Sequence, residues 1–264
     1  MLADLVELAP GGVEEERGDG WVEYAIYGAP GELPALPDIE ATVADGLVEV
    51  TATEIPDDWA DRWQDFHEPV AIAGGRIVVR PSWERPGGAG AEQRAGIDVV
   101  IDPGQAFGTG AHPTTRMCLE LLLALADRGE SHGGLADWGT GSGVLAIAAA
   151  KLGFAPVIAC DLELAALEAA AASAASNGVE VETERVDLRR EAAPTSPSVT
   201  ANLTSSLLRD VAARSQAPPE RLVCSGMLVS EVGEVEEAFA GLGLRERERR
   251  TSGDWAALLL ERSG

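Results

Sequence analysis

Residues 133–153 read GGLADWGTGSGVLAIAAAKLG, and this stretch predicts the fold of the chain. The apolar run up to Asp137 is typical of a buried strand, and the Ala-rich run after Gly143 is typical of a helix. Between them, Gly139, Gly141 and Gly143 allow the backbone to turn tightly and to approach a ligand where a Cβ would clash. The stretch therefore predicts a strand, a turn and a helix, with a ligand at the turn.

The same alternation continues through most of the chain. From about residue 96 onward, apolar strands alternate with Ala-rich and Leu-rich helices. This alternation predicts an α/β fold, an open parallel sheet with helices on both faces. The helix in residues 163–178, ELAALEAAAASAASNG, is expected to end at Asn177, because a glycine follows. Upstream, residues 76–93 predict a strand followed by a polar loop.

The first part of the chain predicts a smaller domain. Residues 1–54 carry the runs WVEYAIYG and GLVEVTATE, separated by a segment rich in proline and glycine, which predicts a small α+β domain. Residues 55–68 begin with IPDDWADRWQDF, whose aromatic residues fall at helical spacing behind an Asp-rich start, and this predicts a linker helix. Residues 69–264 then form the large α/β domain.

Charge and composition disfavour several classes of protein. The formal net charge of −24 disfavours a nucleic acid as the main partner and suits a basic protein, although acidity by itself also keeps a protein in solution. No apolar run approaches the roughly 18 residues of a membrane span, and the N-terminus lacks the basic region of a signal peptide. The three cysteines lack the paired spacing of a zinc or disulfide site, so we expect each to be a small buried side chain. We therefore expect a soluble cytoplasmic protein without a metal.

An acidic residue at the end of the next strand narrows the class of ligand. Asp161 ends the run PVIACD, where a carboxylate can accept hydrogen bonds from both hydroxyls of a ribose. The G-x-G-x-G spacing departs from the G-x-G-x-x-G of dinucleotide enzymes. Asp137, two positions before the first glycine, would repel a pyrophosphate but can hold an amino group such as that of S-adenosylmethionine. Asp137 and Asp161 together favour S-adenosylmethionine over NAD as the ligand. A glycine turn that binds no ligand is the third alternative.

A second glycine-rich segment precedes the first helix of the large domain. Residues 101–115 are IDPGQAFGTGAHPTT. The glycines let this loop lie close against a cofactor, which Phe107 can cover and Thr115 can hydrogen-bond from the start of the helix. His112 is a candidate general base, but Pro113 follows it and no acidic partner is visible, which favours a structural role.

A third candidate position lies at the end of a later strand. In VTANLTSS, residues 199–206, an apolar run leads to Asn202. Its amide is expected in the crevice at the carboxyl ends of the strands, where open α/β sheets bind ligands. Asn202 can position the donor or the acceptor amine; alternatively, it caps the helix that follows. Asp187, after VETERV, either meets the amino group of an adenine or is a solvated loop residue.

The segments IDPGQAFGTGAHPTT, DWGTGSGVLAIAAAKLG, CDLELAALEAAAASAASNGV and TANL together resemble the bacterial methyltransferases that modify lysines of large-subunit ribosomal protein eleven. Relatives that act on the β-subunit of electron-transfer flavoprotein share much of this pattern. The resemblance covers the chain from about residue 55 to its end. It implies a class I methyltransferase domain with a Rossmann-like seven-stranded sheet, and a small N-terminal α+β domain that recognises the substrate. It also implies S-adenosylmethionine as the methyl donor and the ribosomal protein as substrate, and we expect the enzyme to be a monomer.

The resemblance also implies roles for individual residues. The loop from Phe107 to Gly110 closes over the donor, and we assign Phe107, Thr109 and Asn202 to catalysis. The residues expected to bind the donor are Thr115, Asp137, Gly139, Gly141, Gly143, Asp161, Asp187 and Asn202.

Two features depart from the pattern of the family. After Asn202 the chain has LTSS, where the family usually has an apolar residue, alanine and then proline or leucine. The chain also opens inside the first helix of the family's recognition domain, so we expect that domain to be shortened at its start. The N/D-P-P-Y motif of enzymes that methylate planar amino groups is absent, which favours an aliphatic amine as acceptor. A protein-lysine methyltransferase is the leading hypothesis; the alternatives are a methyltransferase for another protein lysine or a small amine, and a donor-binding protein without catalysis.

Overall fold

The structure, a computed structural model, describes residues 14–18, 21–25, 39–43, 46–50, 68–84, 96–102, 110–215 and 217–262. The chain divides into two compact units, Met1–Phe66 and His67–Gly264. The boundary between the units falls inside the predicted linker 55–68, which lies outside the described residues except for Glu68.

Two antiparallel strand pairs are described in the first unit. Strand β1 (Glu14–Gly18) pairs with β2 (Trp21–Ala25), and β3 (Ile39–Val43) pairs with β4 (Gly46–Val50). Strands β2 and β4 lie within the two runs that predict strands. The helical part of the predicted α+β domain falls outside the described residues.

A three-stranded sheet opens the described part of the second unit. Strand β5 (Val70–Ile72) is antiparallel to β6 (Ile77–Arg80), and β6 is parallel to β7 (Ile97–Val100). The predicted strand within residues 76–93 is therefore confirmed. The side chain of Asn177 holds β7 from the outer edge, since its amide accepts the Val100 N–H at 2.9 Å and donates to the Val100 carbonyl at 2.6 Å.

The seven-stranded sheet that the resemblance implies is present in the second unit. Its strands are β8 (Leu135–Trp138), β9 (Val157–Asp161), β10 (Glu182–Arg185), β11 (Ser198–Asn202), β12 (Arg221–Leu228), β13 (Leu244–Ser252) and β14 (Trp255–Arg262). They lie in the order β10-β9-β8-β11-β12-β14-β13. Strands β8, β9, β10, β11 and β12 are all parallel to one another. Strand β14 is antiparallel to both of its neighbours, β12 and β13. The prediction of a parallel sheet is wrong at this edge, because the two-residue turn between β13 and β14 can join only antiparallel strands.

Helices cover both faces of this sheet, as predicted. The described helices are α1 (Pro113–Asp127), α2 (Val144–Leu152), α3 (Leu164–Asn177), α4 (Ser205–Arg214) and α5 (Val232–Ala240). Helix α3 ends at Asn177, and Gly178 follows with φ 65°, which confirms the predicted end. One apolar cluster gathers residues of α1 and α2, and a second gathers residues of α4 and α5.

Successive residues of β8 contribute to opposite faces of the sheet. Leu135 belongs to the cluster with α1 and α2, whereas Ala136 and Trp138 belong to the cluster with α4 and α5. Since side chains alternate along a strand, Asp137 faces the α1 and α2 side. The acidic residue of the glycine motif is therefore placed beneath helix α2, at the end of β8.

Candidate functional site

The glycine turn between β8 and α2 requires glycine at each of its three positions. Gly139, Gly141 and Gly143 have φ values of 70°, 54° and 84°, in the left-handed region that residues with a side chain rarely adopt. A Cβ on Gly139 would also overlap the side chain of Leu203, and a Cβ on Gly143 would lie 3.0 Å from the Cα of Ala170. The turn therefore presents bare backbone at the carboxyl end of β8.

Asp137 holds this turn from below. Its carboxylate accepts hydrogen bonds from the hydroxyls of Thr140 at 2.7 Å and Thr200 at 2.6 Å, and also from the backbone N–H of Ala146. The side chain is 1% exposed. Asp137 thus links β8 to β11 and places a carboxylate at the N-terminus of α2, where the helix dipole favours negative charge. A direct contact between Asp137 and the amino group of the donor stays a prediction.

The surroundings of Asp137 shift its proton affinity. Burial raises the pKa of Asp137 to about 6, although the hydrogen bonds from Thr200, Thr140 and the Ala146 N–H act in the opposite direction, and the neighbouring Asp161 raises it further. The folded protein therefore holds this proton more tightly than an unfolded chain, in which the pKa lies near 3.8.

This raised pKa predicts a pH dependence of stability. The contribution of Asp137 to the free energy of unfolding is largest below about pH 4 and falls as the pH rises through about 6. Between about pH 4 and about pH 7, we expect the wild-type chain to lose about 2 kcal/mol of stability relative to an Asp137→Asn variant. Urea unfolding of both proteins across this range measures the difference. A difference that stays constant with pH would contradict the prediction.

Asp161 ends β9 beside the glycine turn. Its Oδ2 accepts the Gly141 N–H at 3.0 Å, and its Oδ1 accepts the Glu163 N–H at 3.1 Å. The residue remains partly exposed, so its carboxylate has further lone pairs to offer a ligand. The structure therefore brings together the glycine turn and the predicted ribose acceptor, at the ends of adjacent strands.

Asp187 lies in the turn that follows β10. Its Oδ1 accepts the Arg189 N–H at 3.0 Å, and its Oδ2 lies 3.6 Å from the Nε of Arg190. The Asp187 side chain is 20% exposed. These contacts explain why an acid stands in this turn, and the contact with an adenine amino group stays a prediction.

Thr115 and Asn202 meet on the same side of the sheet. The Asn202 amide donates from Nδ2 to the hydroxyl of Thr115 at 3.3 Å, and Thr115 is 1% exposed. The alternative that Asn202 caps the following helix is wrong, because α4 begins at Ser205 with Thr204 at its N-cap position. Two candidate residues that lie far apart in the sequence are therefore in contact at the carboxyl end of β11.

His112 has a structural role at the start of α1. It is the N-cap residue, and its Nδ1 accepts the Thr114 N–H at 3.3 Å. Its ring packs edge-on against Trp255, with the two centroids 5.0 Å apart and an angle of 73° between the planes. These contacts support the structural interpretation of this histidine over that of a general base.

The loop that carries Phe107 and Thr109 lies outside the described residues, but both of its flanks are described. On one side, Asp102 accepts the Ser82 N–H at 2.6 Å. On the other, Gly110 is buried with φ 84°, and a Cβ there would lie 3.0 Å from the side chain of Val79. The two ends of this loop therefore lie against Val79 of β6 and Ser82 of the turn that follows β6.

Sequence reasoning missed two residues that shape the site. Gly226 in β12 has φ 87°, and the backbone of Leu203, directly after Asn202, occupies the space where its Cβ would lie. An isolated glycine within an apolar strand is a known signal for close backbone approach, and it could have been used here. The role of Thr200 as partner of Asp137 had no such signal, because it depends on the register of β8 against β11.

The three cysteines lie in the interior of the second unit. Cys118, Cys160 and Cys224 are buried, as predicted, and burial raises the pKa of Cys160 and of Cys224 to about 12. Among the described residues, no group of three or more His, Cys, Asp or Glu side chains is placed to hold a metal ion. None of the helices in the described part of the chain is long and apolar enough to cross a membrane.

Known proteins match this chain over most of its length. Residues 36–263 match the family model for ribosomal protein L11 methyltransferase (PrmA). A ribosomal protein L11 methyltransferase of Symbiobacterium thermophilum is 33% identical over 264 residues, covering 97% of this chain and 84% of the relative. One from Pelotomaculum thermopropionicum is 38% identical over 213 residues, covering 79% of this chain and 67% of the relative.

A solved structure supports the same assignment. The fold is similar to that of the ribosomal protein L11 methylase from Lactobacillus delbrueckii subsp. bulgaricus, with a TM-score of 0.61 and 27% sequence identity over 73% of this chain and 98% of that one. The predicted class I methyltransferase fold and the resemblance are therefore confirmed. The chain belongs to the ribosomal protein L11 methyltransferase (PrmA) family and is an S-adenosylmethionine-dependent methyltransferase.

Proposed function

We propose that this enzyme transfers methyl groups from S-adenosylmethionine to lysine amino groups of ribosomal protein L11. The observation that carries the proposal is the convergence of Asp161, the glycine turn and Asn202 at the carboxyl ends of β9, β8 and β11. These strands are neighbours at the point where the strand order changes direction, which is where open α/β sheets bind ligands. The names of the relatives support L11 as the substrate.

The residues present fit the donor. The bare backbone of the glycine turn leaves room for close approach, and the partly exposed carboxylate of Asp161 can accept hydrogen bonds from ribose hydroxyls. Asp137 and Asp161 also place two carboxyl groups beside the turn, which suits a ligand that carries an ammonium and a sulfonium. When bound, S-adenosylmethionine supplies an electrophilic methyl group on a positively charged sulfur.

The side chains of the protein then have two tasks. They must hold the acceptor amine in line with the methyl group, and they must remove water from it, which favours the neutral and nucleophilic form of the amine. We assign the positioning of the amine to Asn202, whose amide is bonded to Thr115, together with Phe107 and Thr109 of the loop before α1. This chemistry needs neither a metal nor a protein nucleophile.

Asp161→Ala tests the donor site directly. We expect this variant to bind S-adenosylmethionine at least about tenfold more weakly, because it loses the ribose acceptor and the carboxylate that holds the Gly141 N–H. Isothermal titration calorimetry gives the affinity. Glu163→Ala is the matched control, since it removes a neighbouring exposed carboxylate, and it should bind as the wild type does. An unchanged affinity in Asp161→Ala would refute the assignment.

The LTSS departure after Asn202 is accommodated by the structure. Leu203 packs toward Gly139 and Gly226, and the Ser205 hydroxyl donates to Oε1 of Glu231 at 2.7 Å. The other oxygen of Glu231 accepts the Leu228 N–H at 2.8 Å. The segment is therefore held by defined contacts at the edge of the site.

We further propose that residues 1–54 recognise the substrate and that the enzyme acts as a cytoplasmic monomer without reading nucleic acid. The net charge of −24 supports a basic protein as substrate, because opposite charge speeds the encounter of the two proteins. The same charge opposes strong contact with phosphate backbones.

The test is methyl transfer from labelled S-adenosylmethionine to unmodified ribosomal proteins of the cognate organism, with mass spectrometry to locate the label. Label on lysines of L11 would support the proposal. Label on another protein or on a small amine would replace L11 as the substrate. Tight donor binding without transfer to any acceptor would indicate a donor-binding protein without catalysis.

A further inference from the structure

Thr200 lies in the middle of β11, and its side chain is fully buried, with 0% exposure. It is paired in register with Asp137 of β8, so the two side chains share one face of the parallel sheet. A hydroxyl in a sheet interior is costly unless it is hydrogen-bonded, and valine would fill nearly the same volume without that cost. The hydroxyl of Thr200 is bonded to Oδ1 of Asp137 at 2.6 Å.

From Asp137 the contacts lead into the glycine turn. Its Oδ2 accepts the Thr140 hydroxyl at 2.7 Å, and the Thr140 carbonyl accepts the Gly143 N–H at 3.0 Å. The Thr140 N–H donates to the Cys160 carbonyl at 3.0 Å, which fixes this residue from the other side. Thr140 is therefore held by β8, β9 and the end of its own turn.

The charge on Asp137 depends on these hydroxyls. Among the described residues, Asp161 and Cys160 of β9 and Cys118 of α1 interact electrostatically with Asp137, and none of the three carries a positive charge. Hydrogen-bond donors therefore stabilise the carboxylate, and among them Thr200 lowers the pKa of Asp137 the most. Loss of the Thr200 hydroxyl would remove one of the hydrogen bonds that this buried carboxylate accepts from Thr200, Thr140 and the Ala146 N–H.

We propose that Thr200 is a positioning residue for the methyl donor: through Asp137 and Thr140, it holds the turn from Gly139 to Gly143 in the conformation that receives the methionine part of S-adenosylmethionine. Thr200 acts from the protein interior and need not touch the donor. It lies two residues before Asn202 on the same face of β11, so one strand serves both the donor turn and the acceptor position. The inference rests on donor binding within the proposed function and not on the identity of the acceptor.

The test compares three variants of the full chain by calorimetric titration with S-adenosylhomocysteine and with S-adenosylmethionine. Thr200→Val removes the hydroxyl at nearly constant volume, and we expect the dissociation constant to rise about tenfold. Thr200→Ser restores the hydroxyl and should bring the affinity back to within about threefold of the wild type. Ser198→Ala is the matched control, because it removes a buried hydroxyl from the same face of β11 at the end remote from the turn, and it should bind as the wild type does.

A second readout needs no donor. In the wild type, Asp137 ionises with its hydroxyl partner in place, whereas in Thr200→Val the carboxylate must ionise without it. We expect the stability lost in Thr200→Val, measured by urea unfolding, to grow as the pH rises from about 4 to about 7. Ser198→Ala should show a constant difference from the wild type over the same range.

Several results would overturn the proposal. One is wild-type donor affinity in Thr200→Val. Another is equal loss of affinity in Thr200→Ser and Thr200→Val, which would show that packing and not the hydroxyl is responsible. A stability difference independent of pH would remove the link to Asp137. Because donor binding and unfolding are both measured without an acceptor, the result stands whether or not L11 is the protein methylated.

Discussion

Replacing Asn202 with alanine should lower kcat for methyl transfer to L11 about a hundredfold. Asn202 ends β11 at the carboxyl edge of the sheet, and its amide is bonded to the buried hydroxyl of Thr115. Without the amide, the acceptor amine loses a group that orients it, and small losses of alignment are costly in a direct displacement. Steady-state kinetics with L11 and labelled donor measure the effect.

Changes in kcat and in the dissociation constant of the donor distinguish whether Asn202 positions the amine or only binds the donor. If it positions the amine, the dissociation constant of S-adenosylmethionine should change by less than about threefold while kcat falls. If it only binds the donor, affinity should fall and kcat at saturating donor should recover. Thr204→Ala is the matched control, because it removes an exposed hydroxyl of the same loop, which lies 3.2 Å from the Ser206 hydroxyl, and it should keep wild-type kinetics. Wild-type kcat in Asn202→Ala would exclude Asn202 from catalysis.

Gly226→Ala should be the most destabilising small substitution near the site. An added Cβ would overlap the carbonyl oxygen of Leu203 and lie 2.7 Å from its carbonyl carbon and 2.9 Å from its nitrogen. These are backbone atoms of the residue that follows β11, and they cannot move away by rotation about a side-chain bond. Gly226 also has φ 87°, where alanine is strained. We expect the free energy of unfolding to fall by at least about 3 kcal/mol.

Any Gly226→Ala protein that still folds should have a displaced Leu203, and therefore a displaced Asn202, so kcat should fall as well. Gly233→Ala is the control for the glycine change itself. Gly233 lies exposed in α5, and a Cβ there meets no atom within 4 Å, so this variant should be as stable as the wild type or slightly more stable. Thermal and urea unfolding of both variants test the contrast. Equal stability of the two would contradict the close approach of Gly226 to Leu203.

Local sequence patterns were sufficient to predict the part of the site that lies within one stretch of chain, the glycine turn and Asp161. Gly139, Gly141 and Gly143 adopt the left-handed conformations that their spacing predicts, because a strand and a helix joined by a short turn leave the backbone few alternatives. The position of Asp161 at the end of β9 followed from the same unit. The alternation of strands and helices likewise determined the class of fold.

Contacts between distant segments were decided by tertiary structure. For Asn202, the sequence favoured a site residue over a helix cap but did not exclude the cap, which the structure does exclude because α4 begins at Ser205 with Thr204 at its N-cap position. The partnership of Thr200 with Asp137 depends on which residues of β8 and β11 stand opposite each other, and the overlap at Gly226 depends on the path of another strand.

The sequence by itself thus determined the α/β class of the fold and the donor, because each is encoded by short patterns of strand, turn and helix, and the family followed from a resemblance that runs through residues 101–203. The antiparallel placement of β14, the buried network around Asp137 and the backbone contact behind Asn202 were decided only by the tertiary structure. Such features depend on register and packing between strands that are remote in sequence, and no local preference specifies them.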